Sequence, residues 1–300
     1  MVYTTTDADF RISSLLKVEN VSLAEPGVIV LTGPSSCGKG QVADALCKLL
    51  AIDRKQHISM GEILRNAALL NQQGNLPVEL ESKIEADFQK IYLDNRNSAF
   101  AEKVAEHREG VERFLDGKQQ SQLTGLLWLE YCTYNGLLIP NYWTEVLLED
   151  RIDTLIKEGL GTTLILDGYP RTIDATKHLL SYFEKVDLNI AKVLHLSISR
   201  DEMLRRAMNR GREDDSKKAI MRRFEFYVEK VHPSIDYMKE VLGSHKIALV
   251  DAHQPVYIVD DDGKKSLDVK NSILRICVSS LRALGLPRVV IADLISRYSP

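Results

Sequence analysis

The 300-residue sequence predicts an open α/β sheet covered by helices on both faces. Three observations carry that reading. Short β-branched apolar runs recur with helical segments between them. Several runs are apolar throughout rather than alternating, as parallel strands buried on both sides require. The first run leads through a glycine-rich turn directly into a helix.

In chain order, Val28–Leu31 is the first predicted strand. Gln41–Leu50 follows as a helix with Val42, Ala45, Leu46 and Leu49 on one face. His57–Ser59 is a short second strand. From Gly61 to Gly136 no convincing strand occurs, only charged amphipathic helix over Val78–Leu93, Ser98–Leu115 and Gln122–Tyr134. This stretch reads as an all-helical insertion standing off the sheet. Strands resume at Thr163–Leu166, Val193–Ile198 and Ile247–Val250. Ser216 to Leu242 is a long helical stretch, bent near Pro233 and stopped by Gly243. A hairpin around Asp260–Lys264 and a further helix close the chain.

Composition excludes several classes of function. Lys and Arg total 39 against 42 Asp and Glu, a net charge of −3, so no nucleic-acid partner held by bulk positive charge is expected. No stretch approaches the ~18 apolar residues of a membrane span, and even Ile273–Leu284 is broken by Arg275 and Arg282. The first ten residues carry Asp7 and Asp9 and no apolar run, so no secretory signal is expected. Cys37, Cys47, Cys132 and Cys277 lie far apart with no C-x-x-C pair. They read as free thiols of a reducing cytoplasm rather than metal ligands.

The sharpest motif runs Gly33-Pro34-Ser35-Ser36-Cys37-Gly38-Lys39-Gly40 after the first strand, with Gln41 opening the helix. Its G-x-x-x-x-G-K spacing is that of a phosphate-binding loop, whose backbone N–H groups converge on phosphate oxygens while the lysine reaches the β/γ-phosphates. Gly40 stands where a Ser or Thr hydroxyl usually ligates Mg²⁺, so the metal must be held through water and a carboxylate elsewhere. Asp167, at the end of the apolar strand from Thr163, is that carboxylate, and Arg171 lies just beyond it. A third cluster comprises Arg205, Arg206, Arg210, Arg212, Asp214, Asp215, Arg222 and Arg223. Alone it could be a solvated face; beside a phosphate loop it supplies fixed donors for a charged transition state. Asp214 and Asp215 either hold these arginines or bond a ribose. Cys37 is either a reactive thiol near a helix N-terminus or a small loop residue shielded by bound nucleotide.

These motifs occur in the order seen in adenylate kinases and related nucleoside monophosphate kinases. They are Gly33–Gly40, His57-Ile-Ser-Met60-Gly61-Glu62-Ile-Leu-Arg65, Gly136-Leu-Leu138-Ile139-Pro140, Leu166-Asp167-Gly168-Tyr-Pro170-Arg171 and the Arg206–Arg223 cluster. The resemblance covers about two-thirds of the chain. It implies a P-loop NTPase fold: a five-stranded parallel sheet flanked by helices, with a helical insertion and a short lid. The implied parts are an N-terminal extension (1–26), a kinase core (27–60 and 141–260), a helical monophosphate-binding insertion (61–140), a lid (206–216) and a C-terminal hairpin and helix (261–300).

The implied reaction is transfer of the ATP γ-phosphoryl group to a nucleoside monophosphate, most simply ATP + AMP giving two ADP. A kinase for CMP, UMP or another small acceptor is the runner-up, and a nucleotide-binding regulatory protein is the rival from another class. By position, Gly33 to Gln41 with Arg206 would hold ATP, and Asp167 would orient Mg²⁺ through water. Met60, Gly61, Arg65, Leu138, Ile139, Gly168, Arg171, Asp174 and Ala175 would bind the acceptor. Lys39, Arg171, Arg206, Arg212 and Arg223 would clamp the phosphates in flight, with Arg210 a further candidate.

Three departures stand out. Met60 replaces the usual Thr and Ala175 the usual Gln at the two positions that read adenine, with Asp174 beside the latter. Asp174 either accepts from an exocyclic amine or caps a helix. Arg210 and Arg212 flank only Gly211, a minimal lid with no zinc insertion. Gly61 and Gly136 are about fifty residues further apart than the family shows, an excess lying mainly in Asn71–Asn135. That region is where a protein partner would dock.

Overall fold

The computed structural model describes residues 27–95, 98–161, 163–210, 217–260 and 262–298. The N-terminal extension, Arg212, Asp214, Asp215 and the greater part of the expected lid lie outside the described residues, as does the side chain of Arg210.

Five parallel strands form the central sheet. They are β1 (Gly27–Thr32), β2 (His57–Ser59), β3 (Thr163–Asp167), β4 (Ile190–Ser197) and β5 (Ile247–Asp251), in the spatial order β2-β3-β1-β4-β5. Each strand predicted from sequence is present, with β4 starting three residues earlier than the apolar run. Every residue of β1 is buried, which accounts for its lack of alternation. Val28 and Val30 face one layer of helices, and Ile29 and Leu31 face the other.

The second layer contains α1 (Lys39–Leu49) and two C-terminal helices, α12 (Val269–Ala283) and α13 (Arg288–Tyr298). Val42, Leu46, Cys277 and Leu281 are its fully buried centre. A short antiparallel hairpin, β6 (Tyr257–Val259) with β7 (Lys265–Leu267), precedes α12. The first layer holds α2 (Met60–Gln72), α3 (Val78–Phe88), α4 (Ala99–Glu106), α5 (Arg108–Gly117), α6 (Gly125–Asn135), α7 (Asn141–Lys157) and α8 (Ile173–Lys185). Two further helices, α9 (Arg200–Arg210) and α10 (Lys217–Phe226), lead through a π-helical turn (Tyr227–Val231) into α11 (His232–Leu242).

The long helical stretch ending at Leu242 is interrupted by the π-helical turn just before the proline at which a bend is expected. Pro233 lies in the first turn of α11, directly after the π-turn, and Gly243 follows the last residue with φ 87°. The span expected as one helix over Ser98–Leu115 is two, parted at His107. The helices between residues 61 and 140 share one apolar body with the sheet. Val28, Val30 and Leu166 belong to the same buried cluster as Ile84, Phe88, Trp128 and Trp143. Phe88, Phe100, Trp128 and Trp143 contact one another with ring centroids 5.7–6.4 Å apart.

Candidate active site

The strand order reverses about β1, so the crevice of the sheet opens at the carboxyl ends of β1, β3 and β4, where open α/β proteins bind ligands. The glycine-rich loop leaves β1 there. Gly33 adopts φ 141°, and a Cβ on it would lie 2.3 Å from the carbonyl oxygen of Leu196 on β4. Gly38, with φ 93°, turns the chain into α1 without a side-chain cap, leaving the first N–H groups of that helix facing the loop. Lys39 Nζ donates to the carbonyl oxygens of Gly33 (3.0 Å) and Pro34 (2.9 Å) and lies 3.7 Å from Cys37 Sγ. Burial pushes the Cys37 thiol up despite Lys39, opposite to the lowered pKa that a reactive thiol needs.

Asp167 ends β3 in register with Leu31 of β1 and Ser59 of β2. Its carboxylate is buried, and Oδ1 finds no hydrogen-bond partner among the described residues. Oδ2 lies 3.8 Å from His57 Nε2, itself an orphaned buried nitrogen, and 3.8 Å from where a Cβ of Gly40 would stand. Thus strand β3 aims an incompletely satisfied carboxylate at the beginning of α1. Arg171 follows, donating from Nε to the Gly168 carbonyl at 2.7 Å. Burial lowers its guanidinium pKa, Asp167 opposes the shift and Arg223 adds to it.

Two adjoining cavities flank this point. The larger, about 710 Å³, is lined by residues 35–41 of the loop together with Asp167, Arg206 and Gln254. Arg206 ties the loop to the chain beyond β5. It donates to Glu202 Oε1 (2.6 Å), to the Ala252 carbonyl (2.9 Å) and more loosely to that of Cys37 (3.5 Å). Glu202 also receives a two-pronged bond from Arg205. Its hydrogen bonds to Arg205 and Arg206 draw its carboxyl down to about 2. The second cavity, about 520 Å³, is lined by Gly61, Leu138, Ile139, Arg222 and Arg223. Arg223 packs so closely on Gly136 that a Cβ there would meet its Nη2 at 2.3 Å. Lys39, Arg65, Gly168 and Arg171 line both cavities and form the wall between them.

Most residues marked from sequence therefore converge on these two spaces. Gly33, Ser35 and Lys39 line the smaller cavity; Ser35, Ser36, Cys37, Gly38, Lys39, Gly40 and Gln41 line the larger. Pro34 is buried in the loop. Besides Pro34, three described residues line neither cavity. Met60 and Ala175 are buried in the core, and Asp174, exposed on the first turn of α8, lines neither cavity. Nor is Asp174 the helix cap: Thr172 holds that place, its Oγ1 accepting from the Ala175 N–H at 3.1 Å. Conversely, Lys103, Glu106 and His107 line the smaller cavity without any motif having marked them. Their 103/106/107 spacing on one helical face was the only sequence signal. Leu267, Val269 and Ile273 of the C-terminal segment line the larger one.

Among the described residues, no three His, Cys, Asp or Glu side chains converge on a cation position, and no helix is long and apolar enough to cross a membrane. Comparison with known proteins finds similarity to adenylate kinases. A sequence model described as adenylate kinase matches residues 114–242. Adenylate kinase of Mycobacterium sp. (strain MCS) is 28% identical over 214 residues, covering 71% of this chain and 87% of that protein. That of Mycolicibacterium vanbaalenii is 29% identical over 209 residues, covering 70% and 84%. Adenylate kinase 1 of Nostoc sp. is 26% identical over 213 residues, covering 71% and 84%.

Proposed function

We propose that the chain, similar to adenylate kinases over about 70% of its length, is a divergent member of that family, a phosphotransferase of the nucleoside monophosphate kinase class that transfers the γ-phosphoryl group of ATP to AMP. The observation that carries this reading is the pair of adjoining cavities with a common wall of Lys39, Arg65 and Arg171. A donor phosphate chain on the loop side and an acceptor phosphate on the other would meet at that wall. ATP would lie against the backbone of residues 33–41 and Arg206. The acceptor phosphate would be held by Arg65 and Arg171, with Arg223 and the lid's Arg212 adding positive charge.

No general base is required, since the acceptor phosphate is already an anionic nucleophile. The residues act by alignment, by charge fixed in place before reaction, and by exclusion of water. The buried, unpartnered Oδ1 of Asp167 fits a hydrated Mg²⁺, and Gly40 offers no hydroxyl for a direct bond. When bound, the cation would neutralise charge on the phosphate oxygens. Four buried free cysteines support a cytoplasmic setting.

The test offers purified protein Mg-ATP with AMP, CMP, UMP, GMP and dTMP in turn. AMP is expected to be phosphorylated, and Lys39→Ala is expected to lower kcat about 10²–10³-fold. Turnover confined to a non-adenine acceptor overturns the AMP assignment. ATP binding without turnover of any acceptor overturns the kinase reading.

A further inference from the structure

The two positions at which the family reads adenine are occupied here by Met60 and Ala175, both buried and both outside the acceptor cavity. Selectivity among bases must then come from other polar groups on that cavity's wall. Thr133 and Asn135 direct their side-chain donors back to the Leu129 and Tyr131 carbonyls. Helix α4 supplies a different kind of group. Lys103, half-buried, reaches across to donate to the Leu138 carbonyl, in the 136–139 segment that lines the cavity. An ammonium has three donors, so two remain after that bond. Glu106, one turn further on, faces the same cavity and lies within electrostatic reach of Lys103. His107 completes the edge, its ring 6.2 Å from that of Tyr131. Burial, then Arg222 and Lys103, pull the His107 imidazole below its ordinary pKa, so it faces the cavity as a neutral ring at pH 7.

We propose that Lys103 and Glu106 read the acceptor base, the Glu106 carboxylate accepting from an exocyclic amine and the Lys103 ammonium donating to the ring nitrogen beside it. Adenine and cytosine offer this pair of groups on adjacent atoms. Uracil, and guanine along its N1/O6 edge, present a ring N–H where the ammonium would require a lone pair, and a carbonyl oxygen where the carboxylate would require a donor; guanine carries the amine-and-lone-pair combination only at its 2-amino group and N3, on the edge crowded by the sugar. The insertion thus takes over the discrimination that Met60 and Ala175 do not supply. This inference rests on the acceptor being a nucleoside monophosphate.

The experiment measures kcat/KM for AMP, CMP, UMP and GMP in the natural protein and in Lys103→Met, Glu106→Leu, Glu106→Gln, Met60→Thr and Ala175→Gln. The natural protein is expected to favour AMP and CMP over UMP and GMP. Lys103→Met and Glu106→Leu should lower kcat/KM for the two amino-bearing acceptors by ~10–100-fold, largely through KM. The KM for ATP should stay unchanged. Glu106→Gln keeps an acceptor oxygen and should lose less than Glu106→Leu. The acceptor ratios should survive at Met60→Thr and Ala175→Gln. ATP binding by each variant reports that it is folded, and Glu106→Leu, at the exposed end of a helix, carries the test if Lys103→Met is not. Acceptor ratios unmoved by both substitutions, or a natural preference for UMP or GMP, overturn the inference while leaving the kinase reading intact. Failure of all four acceptors with the natural protein overturns the kinase reading itself.

Discussion

At Gly33 the backbone conformation and the packing make the same demand. Its φ of 141° is one that side chains rarely adopt, and the missing Cβ leaves room for the Leu196 carbonyl. Gly33→Ala is therefore expected to destabilise the fold by about 1–3 kcal/mol and to weaken ATP binding, read by chemical denaturation and nucleotide titration. An unchanged midpoint with unchanged affinity would contradict this. Gly40 is the contrasting case, because a Cβ there meets only Asp167 at ordinary contact distance. The motif exposed both glycines in the sequence, since a phosphate loop constrains spacing within eight consecutive residues. Lys103 was not legible in the same way. Its role depends on α4 crossing the 136–139 segment, thirty-five residues along the chain, and no local pattern encodes that approach.

Among the elements, α6 shows how the helices between residues 61 and 140 are fastened. Its first N–H groups are met from α3, where Glu85 accepts from Gly125 and Leu126, each at 2.8 Å. Thr124 caps the same terminus through Leu127. A carboxylate at a helix N-terminus satisfies orphan donors and interacts favourably with the macrodipole. Glu85→Ala should cost about 1–2 kcal/mol in denaturant unfolding, with Glu85→Gln retaining part of it. Equal loss in both variants would assign the effect to the charge rather than to the acceptor oxygen that Gln keeps, and no loss in either would contradict the cap. Helix existence here was readable from amphipathic periodicity, as at Val78–Leu93 and Gln122–Tyr134. The break at His107 was not, because no glycine or proline marks it. The π-turn after Phe226 likewise has no local signature beyond the nearby Pro233.

For the whole molecule, the sensitive axis is acidity. His195 on β4 is buried, with Nε2 2.6 Å from the Tyr227 hydroxyl. Burial, then His232, hold its imidazole down at about 4. A histidine whose folded pKa lies below its unfolded value contributes fully above the unfolded value of about 6.5 and loses that contribution as pH falls from there toward 4. Glu202, held near 2, behaves likewise in a lower window: its contribution is complete above about 4.5 and fades below it. Stability should drop by about 2 kcal/mol between pH 7.5 and pH 5 from His195 alone. His195→Gln should flatten that dependence in urea titrations, and an unaltered slope would assign the loss elsewhere. The buried parallel sheet was anticipated from the apolar runs; the strand order and the tertiary pairing of His195 with Tyr227 were not.

The apolar body shared by β1 and the helices between residues 61 and 140 has a consequence for heredity as well as for folding. A segment joined to its host by a thin neck can be deleted, traded or transplanted among relatives as a cassette. This one cannot, because Ile84, Phe88 and Trp128 within it belong to the same buried cluster as Val28, Val30 and Leu166 of the sheet. A substitution on the sheet face therefore constrains what the helices over it can carry, and the reverse. A chimera that installs the shorter counterpart of a relative will need matching replacements on the strands to remain soluble.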